Sequence, residues 1–472
     1  MTSGQGGDWE GMRVTVAGLG VSGISAARAL AALGARVTVV DGGDSEAHRE
    51  RAAALEGVEV RLGDAEALPE GTELVVTSPG WKPSSPLFAA AAEAGVDVVG
   101  DVEIAWRLRG PDAAPWLAIT GTNGKTTTTQ MLASILRAAG LRTAAVGNIG
   151  TPIIDVVLGD EPYDVLAVEL SSYQLHWAPS LRAHSAAVLN LAPDHLDWHG
   201  SMEAYAADKG RIYEGNRVAC VYNVADKATE DLVRGADVEE GCRAIGFTLG
   251  APGPSQLGVV DGILVDRAFV ENRQRNAQEL AEISDVNPPA PHNIANALAA
   301  AALARAFGVP AKAVRDGLRA FTPDAHRIAH VADVDGVAYI DDSKATNTHA
   351  AEASLASYES IVWIAGGLAK GATFDELVAK SAKRLHGVVL IGADRALIRE
   401  ALARHAPEVP VVDLDRTDTG AMRAAVQEAR RLAAPGDTVL LAPACASMDM
   451  FANYNKRGDA FAQAVRELGE GT

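Results

Sequence analysis

Cysteine is scarce in this chain: Cys220, Cys242 and Cys445 are the three in 472 residues. They are scattered, odd in number and lack CxxC spacing, which argues against a structural zinc site and for a reducing compartment. Positive charge is also short. Lys and Arg number 42 against 61 Asp and Glu, a net charge of −19. So acidic a balance excludes a general binder of nucleic acid or anionic membrane, because attraction to phosphate needs a basic surface. If the ligands are anions, the positive charge that meets them must be local. No apolar run reaches 18 residues, so no transmembrane helix is expected. The opening MTSGQGGDWEGMR has no apolar h-region, so no secretory signal is expected and a cytoplasmic location is. There is no repeat of short period and no long low-complexity tract. What is present is a hydrophobic fraction of 48%, ample for several cores. At roughly 150 residues per domain, the length predicts about three domains.

Strand-type runs alternate with alanine-rich helical stretches, the pattern of α/β architecture. Residues 13–17, 36–40 and 74–77 read as strands, with a helix over 24–33 stopped by Gly34. This is a βαβ pattern on a parallel sheet. It decays into a polar, Pro-containing stretch at 107–115, read as a linker. A second block opens with a strand at 116–120 and a helix to about Ala139. Strands follow at 165–168, 186–189 and 218–222, then a hairpin over 257–265 turning on Asp261-Gly262. Residues 271–291 read as a polar excursion, and 293–306 as a strong helix. A third block begins near Thr322-Pro323, with strands at 337–340, 361–365, 388–391, 410–414 and 438–442, another doubly wound unit. The expected domains are 1–109, 110–322 and 323–472.

Gly18-x-Gly20-x-x-Gly23 sits between a strand and a helix, and Asp41 ends the next strand. Such glycines let backbone amides approach a pyrophosphate at a helix N-terminus. Read alone, the motif fits an NAD(P)-dependent dehydrogenase, a diphosphate such as a UDP-sugar, or a bare tight turn. Gly121-Thr122-Asn123-Gly124-Lys125-Thr126 is a short relative of the phosphate-binding loop, with Ile119 where the usual spacing has glycine. Loop amides and Lys125 would cradle β- and γ-phosphates, and the Thr126 hydroxyl would reach Mg²⁺. Two phosphate loops disfavour a simple dehydrogenase, since hydride transfer needs no ATP.

Other candidates follow strands. Glu169, leading into LSSYQ, is a carboxylate placed to ligate Mg²⁺; alone it would be a helix-start charge. His195, in Pro193-Asp194-His195, is a candidate second-metal ligand or phosphate contact, though a lone histidine is more often structural. Asp208-Lys209-Gly-Arg211 reads by default as a solvated helix face. Asn293 and Asn296, at i and i+3, present two amides on one face, suited to an adenine edge; without other evidence they would be a cap and a solvent-facing residue. Ala325-His326-Arg327, Asp341-Asp342-Ser-Lys344-Ala-Thr346, Gly366-Gly367-Leu-Ala-Lys370 and Pro443-Ala-Cys-Ala-Ser447-Met448 belong to the third block. The last three follow strands, at the ends where α/β sheets bind ligands. Cys445 reads as a packing residue, with no paired base in view.

Taken together, these residues resemble the Mur ligases over essentially the whole chain. GTNGKT, ELSSYQL, DHLDWHG, HNIAN and AHR mark the superfamily. GLGVSG with Asp41, DDSKATN and PACASMDMF point to its D-glutamate-adding branch. Two positions depart from the family pattern: Met448 stands where Leu or Phe is expected, and Tyr454 where Phe is. Both keep a bulky, largely apolar side chain. The fold implied is three α/β domains: an N-terminal Rossmann-like UDP-binding domain, a central P-loop-type ATPase and a C-terminal Rossmann-like domain. The reaction implied is ATP-dependent addition of D-glutamate to UDP-N-acetylmuramoyl-L-alanine through an acyl phosphate, in peptidoglycan precursor synthesis. By resemblance, Gly121 to Thr127 bind ATP, with Lys125 on its phosphates and Thr127 in the loop's helix. Thr126 and Glu169 hold one Mg²⁺ and His195 a second. Asn293 and Asn296 meet adenine, Arg327 the phosphates and Asp342 the ribose. Val21, Ser22, Asp41, Gly80 and Asn148 line the UDP-sugar path. Lys344, Thr346, Lys370, Ser447, Met448 and Tyr454 form the D-glutamate pocket. Lys209 falls at the family's carbamylated lysine, a modification by CO₂ that turns a cation into an oxygen ligand for the second Mg²⁺. Because Arg327 and Lys370 stand in a different domain from Lys125, the resemblance implies a site completed by domain closure. A monomer is expected. The alternatives are a dehydrogenase, a Mur-type ligase for another amino acid, and an ATP-regulated binding protein without turnover.

Overall fold

The computed structural model describes residues 9–416, 418 and 420–470. The first eight residues of the opening segment lie outside it. Three sheets follow one another along the chain. The first has β1 (Arg13–Ala17), β2 (Arg36–Asp41), β3 (Glu59–Leu62), β4 (Leu74–Thr77) and β5 (Asp97–Gly100), all parallel, in the order β3-β2-β1-β4-β5. β1, β2 and β4 are runs of Val and Thr. β-branched side chains suit a pleated surface buried on both faces, which is how parallel sheets sit. The weaker runs at β3 and β5 escape the sequence reading because each is four residues long and opens on a charged residue.

The helix after β1 runs Val21–Ala32, beginning three residues before the expected start, since Gly20 already caps it in an extended conformation. Close approach fixes the third glycine of the loop. A Cβ on Gly23 would lie 1.9 Å from the Gly18 carbonyl oxygen, whereas one on Gly20 would meet nothing within 4 Å. The turn therefore needs glycine at 23 for its own packing and leaves open space at 20.

The second sheet holds β6 (Trp116–Thr120), β7 (Ala145–Gly147), β8 (Leu166–Glu169), β9 (Ser185–Val188), β10 (Ala219–Asn223), β11 (Arg243–Phe247), β12 (Gln256–Val260), β13 (Ile263–Asp266) and β14 (Gln278–Glu282). Their order is β14-β13-β12-β11-β10-β9-β6-β8-β7, parallel except for β12-β13-β14. The hairpin turns on Asp261 and Gly262 at positive φ, as the sequence predicts. The polar stretch 271–291 is more than an excursion: it contributes β14, an edge strand whose exposed residues, Gln278, Glu279 and Glu282, are polar or charged.

The stretch 107–115 is packed rather than a loose linker. The Arg109 guanidinium lies 3.9 Å from the Trp106 ring centroid and 5.3 Å from that of Trp116. It also donates to the Ala114 carbonyl at 3.1 Å. Apolar side chains of the first sheet (Val14, Val16, Val76) and of the second (Trp116, Ala118, Val168) form one continuous core, and the two sheets make one compact unit.

The third sheet belongs to a separate unit. It comprises β15 (Ala329–Val334), β16 (Val337–Asp341), β17 (Ile361–Gly366), β18 (Leu385–Ile391), β19 (Val411–Asp413) and β20 (Thr438–Leu441), in the order β15-β16-β20-β17-β18-β19. Only β15 runs antiparallel. Apolar clusters cover both faces. Among the described residues no helix is long and apolar enough to cross a membrane.

The two glycines give a paired test. Gly23→Ala is expected to cost about 1–3 kcal/mol in urea denaturation, the range for overpacking a closed site. Gly20→Ala is expected to stay within about 0.5 kcal/mol, as a substitution into open space.

Candidate active site

In each sheet the chemistry-bearing loops leave the carboxyl ends of three adjacent strands. In the first these are β2, β1 and β4, carrying Asp41, the Gly18–Gly23 loop and the Ser78–Gly80 segment. In the second they are β9, β6 and β8, carrying 193–195, the Gly121–Thr126 loop and Glu169. In the third they are β16, β20 and β17, carrying 342–346, 443–448 and 366–370. Crossovers leave a crevice where the strand order reverses, and ligands of α/β sheets bind there.

The phosphate loop is built from its own backbone and from the next strand's loop. Gly124 is left-handed at φ +82, and a Cβ there would lie 2.4 Å from the Asn296 side-chain oxygen. Glycine thus lets the helix bearing Asn293 and Asn296 come against the loop. Both asparagines are buried, and Asn296 Nδ2 donates to Asn293 Oδ1 at 3.3 Å. This corrects the solvent-facing alternative. Asn190, which the sequence reading missed, pins the loop from β9: its carboxamide accepts from the Asn123 amide at 2.9 Å and donates to the Asn123 carbonyl at 3.1 Å. The Thr122 hydroxyl meets Tyr205 Oη at 3.0 Å and the Ala192 carbonyl at 3.1 Å.

Two lysines converge on this loop. Lys125 Nζ donates to the carbonyls of Gly121 and Thr122, each at 2.9 Å. Lys209 Nζ donates to the same Gly121 carbonyl at 2.8 Å and lies 4.7 Å from the Tyr205 ring centroid. Lys209 is 1% exposed. Burial, and then the positive charge of Lys125, hold its ammonium well below the ordinary lysine range. The default reading of 208–211 as a solvated helix face is therefore wrong for Lys209 and also for Asp208.

Asp208 is a buried node. It takes His176 Nδ1 and His199 Nδ1 at 2.9 Å each, and Arg211 Nε at 3.2 Å. His199 also meets the Ser172 hydroxyl through Nε2 at 3.0 Å. One carboxylate thus joins the segment after Glu169, the segment after His195 and the helix of Lys209. Burial raises its carboxyl, but the hydrogen bonds of His176 and His199 outweigh that and bring it down to about 2.

Glu169, at the end of β8, is 1% exposed. Oε1 accepts from Asn148 Nδ2 at 2.9 Å, so a residue expected on the UDP-sugar path arrives beside the carboxylate. Oε2 is buried with no hydrogen-bond partner among the described residues. A buried, unpartnered carboxylate oxygen costs free energy unless a cation meets it, so the residues present fit a divalent ion here. No cluster of three or more His, Cys, Asp or Glu forms a metal cage among the described residues. Mg²⁺ takes one or two protein ligands and completes its shell with waters and phosphate oxygens. Thr126 is half-buried at the start of the loop's helix. His195 has left-handed backbone, caps the Leu196–His199 helix and packs on Tyr173, with ring centroids 4.9 Å apart.

In the first sheet, Asp41 accepts from the amides of Leu19 at 2.7 Å and Gly43 at 2.8 Å, bracing the glycine loop. Val21 at the head of that loop's helix is 73% exposed, and Gly80 is exposed too. Ser22 bonds the buried Asp101, whose carboxyl burial raises. Trp198 Nε1 donates to the Trp81 carbonyl at 3.1 Å, tying the DHLDWHG segment to the loop that carries Gly80.

In the third sheet, Lys344 Nζ lies 3.9 Å above the Tyr454 ring centroid, and Ser343 Oγ donates to the Tyr454 carbonyl at 2.8 Å. Arg457, absent from the sequence reading, is 1% exposed and donates to Ser343 Oγ, the Ser343 carbonyl and the Cys445 carbonyl at 2.8–3.0 Å. Leu368 and Ala446 exchange backbone hydrogen bonds at 2.9 Å. Together these join the loops of Lys344, Thr346, Lys370 and Ser447. Lys370 is exposed with left-handed backbone, Ser447 is buried and Met448 is 61% exposed. Asp342 is buried; burial pushes its carboxyl up to about 6 although Arg327 pulls it down. Cys445 is buried and its thiol pushed up to about 12, in keeping with a packing role.

Comparison with known proteins gives the class. Residues 12–100 match the Mur ligase MurD-like N-terminal domain, 119–304 the Mur ligase middle domain, and 326–445 the Mur ligase glutamate ligase domain. The chain belongs to the Mur ligase family. It is 85% identical to UDP-N-acetylmuramoylalanine--D-glutamate ligase of Streptomyces avermitilis, over 98% of this chain and 99% of that one. It is 60% identical to the protein of the same name from Thermobifida fusca, over 97% and 99%. Among solved structures, UDP-N-acetylmuramate-alanine ligase MurC of Thermotoga maritima matches with a TM-score of 0.56 at 16% identity, over 97% and 99%. MurF ligase of the same organism, in complex with ADP, gives 0.58 at 15% identity, over 92% and 96%. At such identities these two bear on the fold alone.

The Asp208 node carries a stability prediction. Its folded carboxyl lies near 2 against about 3.9 unfolded. Its stabilisation is therefore present above about pH 4 and lost as pH falls through about 2. Asp208→Ala leaves the Nδ1 donors of the buried His199 ring and the partly exposed His176 ring unmatched and is expected to cost about 3–5 kcal/mol in denaturant unfolding at pH 7. That difference should shrink when the comparison is repeated near pH 3.

Proposed function

We propose that this chain is an ATP-dependent amide-bond ligase that adds D-glutamate to UDP-N-acetylmuramoyl-L-alanine, forming ADP and phosphate, in peptidoglycan precursor synthesis. The observation that carries the reading is the chain's full-length 85% identity to a relative of that name. The convergence of Lys125 and Lys209 on the Gly121 carbonyl after β6, with Glu169 at the end of neighbouring β8, supports it.

The chemistry asks for what these residues have. A carboxylate is a poor electrophile, so the substrate carboxylate attacks the γ-phosphorus of ATP, ADP leaves, and an acyl phosphate results. The D-glutamate amine then attacks the acyl carbon, the C–O bond to phosphate breaks, and the amine proton is released. Charge gathers on the transferring phosphoryl oxygens, so catalysis is positioning plus electrostatics. The amides of Gly121 to Thr127 and the Lys125 ammonium bind the phosphates. Asn293 and Asn296 meet adenine; Arg327 and Asp342 bring the third domain's charge and acceptor to the phosphates and ribose. Val21, Ser22, Asp41, Gly80 and Asn148 orient the UDP-sugar. Lys344, Thr346, Lys370, Ser447, Met448 and Tyr454 hold D-glutamate. Thr126 and Glu169 would hold one Mg²⁺ and His195 with a carbamylated Lys209 a second, and the ions would supply neutralising charge to phosphoryl oxygens.

Carbamylation of Lys209 needs a neutral amine, because only the lone pair attacks CO₂. Burial, and then the charge of Lys125, shift Lys209 toward that state by holding its ammonium well below the ordinary lysine range. The product exchanges one positive charge for one negative and supplies two oxygens, ligands Mg²⁺ prefers.

Phosphate release measured with ATP and Mg²⁺ is expected only when UDP-N-acetylmuramoyl-L-alanine and D-glutamate are both present. Release with another amino acid in place of D-glutamate would reassign the substrate within the family. A change in NADH absorbance, or ATP binding without release, would overturn the ligase reading.

Lys209→Ala is expected to lose at least 100-fold in that assay, on the order of removing one strong electrostatic contact to the reacting group. Acetate or formate added to this variant should restore part of the rate, and a ¹³C carbamate resonance from labelled CO₂ should appear in the parent chain and not in the variant. An unmodified amine at Lys209 in the presence of bicarbonate and Mg²⁺ would sink the carbamate assignment.

A further inference from the structure

The sequence scatters the cysteines, yet the fold gathers two of them. Cys220 is the second residue of β10, and Cys242 immediately precedes β11. These strands are parallel neighbours with Ala219 opposite Arg243 and Cys220 opposite Ala244. The two sulfur atoms lie 3.8 Å apart. That is van der Waals contact between thiols. A disulfide needs about 2.04 Å, and Cα separations of about 4.4–6.8 Å admit one. Cys242 stands two positions before Ala244, the partner of Cys220, a diagonal relation that puts Cα atoms about 7–8 Å apart. Closing the bond takes side-chain rotation together with a small backbone shift at Cys242, which lies just outside the strand.

We propose that Cys220 and Cys242 form a reversible dithiol–disulfide site, oxidised by peroxide or by a small-molecule disulfide. The two thiols are unequal in the way the chemistry requires. Cys220 is buried, 2% exposed, and Cys242 is partly exposed, so an oxidant meets Cys242 first. The hydrogen bond from the Cys220 thiol holds the Cys242 thiol below its ordinary range; that bond and burial push Cys220 up. The thiolate is the reactive form.

With hydrogen peroxide the step balances. The Cys242 thiolate attacks one peroxide oxygen, the O–O bond breaks, and hydroxide takes up a proton to leave as water. This gives a sulfenic acid at Cys242. The Cys220 sulfur then attacks the Cys242 sulfur, the S–O bond breaks, and the oxygen leaves with the Cys220 proton as a second water. Two thiols are oxidised and one peroxide is reduced to two waters.

The site also has a built-in control. Cys445 belongs to the other compact unit, is 1% exposed, and has its thiol pushed up to about 12 by burial. It should stay reduced under conditions that oxidise the pair. The pair sits at the amino ends of β10 and β11, whereas the phosphate loop and Glu169 leave carboxyl ends of the same sheet. Oxidation is thus expected to lock two strands without rearranging the loops of the candidate active site.

The test uses the full chain treated with hydrogen peroxide and then unfolded in the presence of an alkylating reagent. Intact mass before alkylation should fall by about 2 Da. Alkylatable thiols should drop from three to one, and the peptides containing Cys220 and Cys242 should be cross-linked. Dithiothreitol should reverse all three changes. Cys242→Ser, at the partly exposed position, should abolish the cross-link, while Cys445→Ser should leave it intact. Three alkylatable thiols after treatment, an oxidised Cys242 without a cross-link, or a cross-link involving Cys445 would each overturn the proposal.

Discussion

Two lysine side chains end on one carbonyl oxygen, that of Gly121, and the site is arranged around this constraint. Donors at 2.9 and 2.8 Å from a single atom lie within about 6 Å of each other. Two ammonium charges so close repel by a few kcal/mol even when the effective dielectric is about 20. One of the two therefore yields its proton more readily, and burial decides which. Lys209 is sealed beneath Tyr205, while Lys125 stands half-buried at the head of its helix. The same packing that desolvates Lys209 also prevents its withdrawal. Its helix is anchored one residue earlier, by Asp208 on His176 and His199.

That anchoring shows what the fold does beyond presenting loops at strand ends. A doubly wound sheet brings three loops to one edge but leaves each free to wander. Here each set is cross-tied by groups that touch no expected ligand. Asp208 joins the loops of Glu169 and His195 to the helix of Lys209. Asn190 ties the β9 loop to the phosphate loop. Arg457 ties the β16 loop to the β20 loop, and the Leu368–Ala446 pair adds the β17 loop. Each tie is buried, part-buried or backbone-to-backbone, so solvent screens it less than an exposed pair. Mutual geometry at a phosphoryl-transfer site must hold within fractions of an ångström, and these are the contacts that hold it.

The parts legible in the sequence were those written in contiguous residues. Val- and Thr-rich runs gave the central strands, Gly18–Gly23 and Gly121–Thr126 gave the loops, and Asp261-Gly262 gave the hairpin. The strands missed, β3, β5, β7, β11, β14 and β15, are mostly short or charged at their ends, so no period-2 pattern stands out. The ties were illegible for a different reason. Asp208 is an acidic residue on a short helix, and nothing local says that two histidines, nine and 32 residues away, will bury it. Arg457 looks like any basic residue near the end of a chain. The Cys220–Cys242 contact depends on the register of β10 against β11, which no local pattern encodes. A signal did exist for Asp208: three histidines in two strand-following segments, of which the sequence reading used only His195.

The remaining question is how a chain of charge −19 serves anionic substrates. Much of its surface cation content is spent on carboxylates, as in Lys227–Asp231, Lys312–Asp316 and Arg404–Asp375. Such pairs are nearly neutral at a distance and contribute little to stability. The cations of the candidate site are held differently. Lys125 reaches backbone carbonyls, and Lys344 lies over the face of Tyr454. A carbonyl dipole or a ring quadrupole orients an ammonium or guanidinium without cancelling its net charge. Positive potential can therefore be kept at strand ends inside an acidic molecule, where low-dielectric walls strengthen it and the surrounding negative surface discourages anions that do not fit. The acidic composition and the anionic ligands are thereby compatible. What this asks of basic residues at the strand ends is contact with carbonyl dipoles and ring faces, as Lys125 and Lys344 make.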